Sequence, residues 1–131
     1  MSPENMKPVQ ALFDAWNTGD MDALRALFDP GVIARFVPDW PEPGPHVGRE
    51  AVMRQFEYQR EAFDADDVKL LHHSVDVGDR VAARFIWRGA GHGPEANMEF
   101  TGVYTVRMGR IFYLEYFWDH AQALQTLGLS E

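Results

Sequence analysis

The chain has 131 residues, enough for one domain with a single core, and its formal net charge is −8 from 12 basic and 20 acidic side chains. That balance gives no basic footprint for nucleic acid and no attraction to anionic lipid, and the absence of cysteine excludes disulfides and thiolate chemistry. Four Trp, four Tyr and nine Phe make the composition aromatic, which suits a packed core and also the walls of a ligand cavity.

Met6, Val9, Leu12, Phe13 and Trp16 recur at steps of three and four, which predicts a first helix beginning around Asn5 to Pro8, with Pro8 in its opening turn. Gly19 ends it, Asp20 caps a short second helix from Met21 to Phe28, and Asp29-Pro30-Gly31 closes that. Val32 to Val37 reads as a short strand. From Pro38 to His46, four prolines forbid regular structure and favour an extended surface loop, whose Trp40 is placed to close a pocket. Val52, Met53, Phe56 and Phe63 keep helical spacing between Gly48 and Asp64, and the acidic run Asp64 to Asp67 reads as a helix end and turn. Val68 to Val77 is the next strand, with Leu71, His73, Val75 and Val77 on its apolar face. In the strand from Arg80 to Arg88, Val81, Ala83, Phe85 and Trp87 point inward and Arg84 outward, toward the side of Glu99 and Glu115. Gly89 to Ala96, with three glycines and Pro94, reads as a loop.

The stretch from Asn97 to His120 is two strands joined at Met108-Gly109. Met98, Phe100, Gly102, Tyr104 and Val106 share the inner face of the first, opposite Asn97, Glu99, Thr101, Thr105 and Arg107. In the second, alternation puts Phe112, Leu114, Tyr116 and Trp118 inward and Ile111, Tyr113, Glu115 and Phe117 outward. Both faces of that strand want cover, and a second subunit on the outer face would supply some of it. Asp119 then caps a short helix from His120 to Leu127. Helices gathered early and antiparallel strands gathered late predict an α+β domain spanning 1–131, in which a curved sheet wraps around helices.

Leu12-Phe13-Asp14-Ala15-Trp16-Asn17-Thr18-Gly19-Asp20, with Ala26-Leu27-Phe28, Gly78-Asp79-Arg80-Val81-Ala82, Gly109-Arg110-Ile111 and the closing Asp119 to Gly128, resembles the ketosteroid isomerase and SnoaL-like polyketide cyclase group of the nuclear transport factor 2-like superfamily. The resemblance implies a cone-shaped barrel, a curved and mostly antiparallel sheet around helices, enclosing a pocket between the long helices and the concave face. It does not imply one chemistry, since the same fold carries many. Ketosteroid isomerases use an Asp base with a Tyr and a protonated Asp as oxyanion donors. At the matching positions this chain has Phe36, Leu12 and Gly102. Polyketide cyclases and limonene epoxide hydrolases place a catalytic Asp on the last strand, where this chain has Tyr116, and the hydrolases add an Arg-x-Asp where it has Phe85-Ile86-Trp87.

What remains for chemistry is His73, inward on its strand and able to exchange protons near neutral pH, with Tyr104 and Tyr116 as hydrogen-bond donors to a carbonyl or oxyanion. His72 faces away from His73, and His46, His92 and His120 are scattered, so no metal site is expected. Leu12, Trp16, Phe36, Trp40, Phe56, Trp87, Phe100, Leu114 and Trp118 are the expected ligand-binding walls. The expectation is a small-molecule-binding protein with a largely apolar pocket for a hydrophobic or aromatic molecule. It is expected to be cytoplasmic, to use no cofactor, to bind neither nucleic acid nor membrane, and to pair as a homodimer through the outer sheet face. The alternatives are a cofactor-independent isomerase, cyclase or dehydratase using His73 with a tyrosine, and a protein-interaction module.

Overall fold

The computed structural model describes residues 3–61, 65–70, 75–91 and 93–128. Helix α1 runs Pro3–Thr18, α2 Met21–Ala26, α3 Arg49–Glu61 and α4 His120–Thr126. The strands are β1 Phe28–Arg35, β2 His46–Val47, β3 Ala65–Leu70, β4 Val75–Val77, β5 Arg80–Gly91, β6 Gly93–Arg107 and β7 Arg110–Phe117. They form one seven-stranded sheet in the order β2-β1-β7-β6-β5-β3, with β4 beside β5. All pairings are antiparallel except β1 with β7, which run parallel. The fold class is the expected α+β, but the sheet is open at both ends of that order and does not close as a barrel.

The concave face packs on α1 and α3. Val9, Leu12, Phe13 and Trp16 of α1 and Val52, Met53 and Phe56 of α3 join the inward residues of the sheet in one core. The α1–α2 junction follows from its sequence: Gly19 takes φ 76°, its N–H bonds the Trp16 carbonyl at 3.1 Å, and that of Asp20 bonds the Ala15 carbonyl at 3.0 Å. The Asp20 carboxylate then caps α2 on the Ala23 N–H at 3.0 Å.

Several boundaries differ from expectation. Because α1 begins at Pro3, Pro8 falls inside it, and the carbonyl left without a donor is that of Glu4 on the exposed first turn. Phe28 opens β1 instead of ending α2, since its neighbour Leu27 already accepts from Ile111 N of β7 at 2.8 Å. The loop after β1 contains a two-residue strand, His46–Val47, whose proline-free pair is able to bond β1. The acidic Asp66 and Asp67 are not a turn: they lie in β3, paired with Gly89 and Arg88. The glycines between 89 and 96 likewise belong to strands, with β5 running to Gly91 and β6 starting at Gly93.

The largest difference lies in β7. The ladder shifts between Thr105 and Val106, so that Thr105 faces Tyr113 while Val106 faces Ile111, and Phe112 is the extra residue. The bulge reverses the alternation below it. Ile111 is fully buried, whereas Phe112, expected inward, is 38% exposed beneath the Arg107 guanidinium. Above the bulge Leu114 and Tyr116 keep their inward direction.

The outer face is covered in part by the chain itself. Ala123, Leu124 and Leu127 of the last helix and its end pack on Ala82, Val103 and Phe117. No helix among the described residues is long and apolar enough to cross a membrane.

Candidate ligand cavity

The concave face and helices enclose a cavity lined by Leu12, Phe13 and Trp16 of α1, Phe56 and Gln59 of α3, Val68 of β3, Phe85 and Trp87 of β5, Phe100 of β6 and Tyr116 of β7, closed by Phe36, Val37 and Trp40 after β1. About 500 Å³ of atom-free space lies between these walls when the open side is counted, yet the centre of a water molecule can move through only about 50 Å³ of it. The chamber is therefore narrow, and ring-to-ring contact is the reason. Phe36 stacks on Tyr116 at 5.5 Å and meets Phe56 edge-on at 6.0 Å, while Phe85 stacks on Phe100 at 5.4 Å. Trp40 stands about 6 Å from both Phe100 and Trp87.

Two polar clamps hold the walls. Arg60 donates to the Trp16 carbonyl at 2.9 Å and lies over the Trp16 ring at 4.9 Å, neutralising the carbonyl end of α1 and fixing that indole. Asn17 accepts from Val68 N and donates to Val68 O, both at 2.8 Å, so its side-chain amide pairs with the edge of β3 as another strand would. The loop that carries Trp40 is held by Phe36 N to Pro43 O at 2.8 Å, Gln55 to the Glu42 carboxylate at 2.9 Å, and Trp118 Nε1 to the Asp39 carboxylate at 2.7 Å.

Among the described residues, the cavity walls with polar side-chain groups, besides the indoles, are Gln59 and Tyr116, and no described carboxylate lines the space. Burial pushes the Tyr116 phenol well above the ordinary tyrosine range. Tyr104 sits behind it and does not reach the cavity. Its ring is fully buried, its hydroxyl has no hydrogen-bond partner among the described groups, and it is pushed up first by burial and then by its neighbour Tyr116. The two rings are edge-on at 6.3 Å, close enough for each phenol to weigh on the other, although Tyr104 Oη is outside hydrogen-bonding geometry.

Of the expected walls, Leu12, Trp16, Phe36, Trp40, Phe56, Trp87 and Phe100 meet around this one space. Leu114 is buried in the core beneath the floor, and Trp118 stands at the rim, 44% exposed and stacked on Phe100 at 4.5 Å. His73, with His72 and His92, lies outside the described residues. Phe13 and Phe85 were legible as inward residues of their elements but not as walls, and Gln59 carried no signal at all. Val68 corrects the expected face of its strand: Val68 and Leu70 pack on the inner core, whereas Val75, expected inward, packs on the outer cluster and Val77 is exposed. Arg84 lies on the outer face and pairs with Glu99 at 2.5 to 2.7 Å, half exposed, as an outward residue should. His120 meets the Thr101 hydroxyl at 2.9 Å on the same face. No group of three His, Cys, Asp or Glu side chains among the described residues is close enough to hold a metal.

A family model described as a SnoaL-like domain matches residues 9–114. A protein from a soil-derived mobile gene cassette is similar in structure, with TM-score 0.79 and 25% identity over 95% of this chain and 96% of that one. A proposed polyketide cyclase from Sinorhizobium meliloti gives TM-score 0.69 and 27% identity over 84% and 93%. TerC, crystallised with polyporic acid, gives TM-score 0.77 at 16% identity over 95% and 97%, a likeness of fold. Comparison with curated proteins finds no match.

Proposed function

Because the chain belongs to the SnoaL-like domain family, we propose that its cavity binds a small ring-bearing molecule and that Tyr116 donates a hydrogen bond to an oxygen of that molecule. The observation that carries this reading is the wall itself: aromatic and aliphatic around its circumference, with one phenol and one amide as its polar side chains besides the indoles and no described carboxylate. A phenol held far above its ordinary range stays protonated at every physiological pH, so it acts as a donor and not as a base. In a narrow, largely apolar chamber such a donor discriminates between a ring that carries a carbonyl and one that does not. The polyporic acid bound by TerC is a ligand of this general kind, and supports the reading by analogy.

The test uses tetralone and tetralin, bicyclic molecules that differ by a ketone oxygen. Calorimetric titration is expected to find both bound, tetralone about three- to tenfold tighter, the range of one net hydrogen bond. Tyr116→Phe should leave tetralin unchanged and abolish the difference. Binding of neither molecule overturns the reading, and a difference that survives in Tyr116→Phe removes Tyr116 from it.

The protonated phenol also favours a second reading, a cofactor-independent isomerase, cyclase or dehydratase. Such reactions begin by taking a proton from the carbon beside a carbonyl, and a donor on the carbonyl oxygen stabilises the enolate that forms. Tyr116 is the donor in this reading, since Tyr104 does not reach the cavity, and His73 is the residue proposed as base. Proton exchange of tetralone in D₂O, followed by NMR, is then expected to exceed the buffer rate and to fall back to it in His73→Ala. A homodimer is proposed on the outer face that α4 leaves open, where Arg84, Glu99, Tyr113 and Glu115 stand. A protein-interaction module, which needs an interior filled by side chains, draws no support from a cavity with about 500 Å³ of atom-free space.

A further inference from the structure

Beside the cavity runs a groove lined by Trp40, Pro41, Glu42, Gln55, Tyr58, Gln59, Trp87 and Met98, through which the centre of a water molecule moves over about 400 Å³. Trp40, Gln59 and Trp87 line both spaces. They are thus one partition seen from two sides. Trp40 is the part of it borne by a loop, and it is only partly buried. An inner chamber with about 50 Å³ of water-centre space receives a ring only if a wall yields, and of the three residues with open space behind them Trp40 is the one borne by a loop.

The groove differs from the cavity in its chemistry. The Glu42 carboxylate faces it and accepts from Gln55 Nε2 at 2.9 Å, and no cation among the described residues pairs with it. Trp40, Trp87 and the half-exposed Tyr58 line the same groove, in a chain of net charge −8. A carboxylate beside aromatic faces suits an ammonium group and repels an anion.

We propose that cavity and groove are the two halves of one elongated site, in which Trp40 swings aside to admit a ring and the ligand's chain passes it to place a protonated amine against Glu42. The proposal rests on the ring-binding reading above and adds the charge and length of the ligand to it. Three probes with one ring and one chain separate the two: butylbenzene, phenylbutylamine and phenylbutyrate. In calorimetric titration the amine is expected to bind about fivefold or more tightly than the carboxylate. Glu42→Gln should close that gap and leave butylbenzene as it was. Equal binding of amine and carboxylate, with butylbenzene still bound, overturns the proposal and spares ring binding. Failure of all three overturns both. Butylamine, which has no ring, should bind far more weakly than phenylbutylamine, and equal binding would make the groove a separate site. In stopped-flow measurements Trp40→Ala should speed butylbenzene association about tenfold, as expected when binding awaits a conformational change; an unchanged rate removes Trp40 from the entry path.

Discussion

Tyr104 leans along its own strand so that its ring lies over Gly102. A Cβ built on Gly102 would stand 2.7 Å from the Tyr104 hydroxyl and 2.8 Å from two ring carbons, too close for any pair of such atoms. The missing side chain of Gly102 is thus the space that a tyrosine ring fills. Gly102→Ala is expected to destabilise the fold by about 1–3 kcal/mol, the usual cost of overpacking a core, and a lowered denaturant midpoint with unchanged slope would register it. A neutral result would mean that the Tyr104 ring has somewhere else to go. Alternation placed both residues on the inner face correctly, because period-two geometry is a property of the backbone. It gave no hint that one covers the other, since the lean of a side chain along the strand depends on rotamer and neighbours.

Among the elements, the long periodic ones were legible and the irregular ones were not. The α1 stripe, the inward set of β5 and the cap at Asp119 were all visible, since each rests on local spacing or on one side chain's bond to the backbone. The β7 bulge was invisible because Ile111 and Phe112 are both apolar, so either phase of the alternation reads as a buried strand. The strand nature of Asp66 and Asp67 was hidden for the opposite reason: their composition favours a turn, and pairing with β5 overrides it. The clamp between Asn17 and Val68 joins residues 51 positions apart, and nothing local announces it. Asn17→Ala is expected to cost about 1–2 kcal/mol, two modest hydrogen bonds at an exposed edge. Hydrogen exchange at the Val68 amide should accelerate more than exchange in the centre of β5; uniform acceleration would show that the clamp has no local role.

For the molecule as a whole, the two buried phenols predict how stability responds to alkali. Both folded-state values lie above the unfolded value of 10, so each group's contribution is fully present below about pH 10 and is lost as pH rises beyond it, where the unfolded chain releases protons that the folded chain retains. Unfolding free energy should fall with a limiting slope of about 1.4 kcal/mol per pH unit for each phenol. Tyr104→Phe should remove one such share of the slope, measured by denaturant titration above pH 10. A slope unchanged by that substitution would mean that the Tyr104 phenol ionises as readily in the folded chain as in the unfolded one.

The parallel pairing of β1 with β7 has a consequence for the order in which the molecule is assembled. Residues 28–35 find their main partner at residues 111–115, and their other neighbour is the two-residue β2. The first half of the chain therefore emerges from synthesis with β1 almost unpartnered, and closing the loop to β7 spends entropy over some eighty residues before the contact returns anything. Phe36, Val37 and Trp40 follow directly on β1, so the chamber acquires these walls only when the last strand arrives. A nascent chain that stops short of β7 would hold its helices and its β5–β6 hairpin around an interior still open to water.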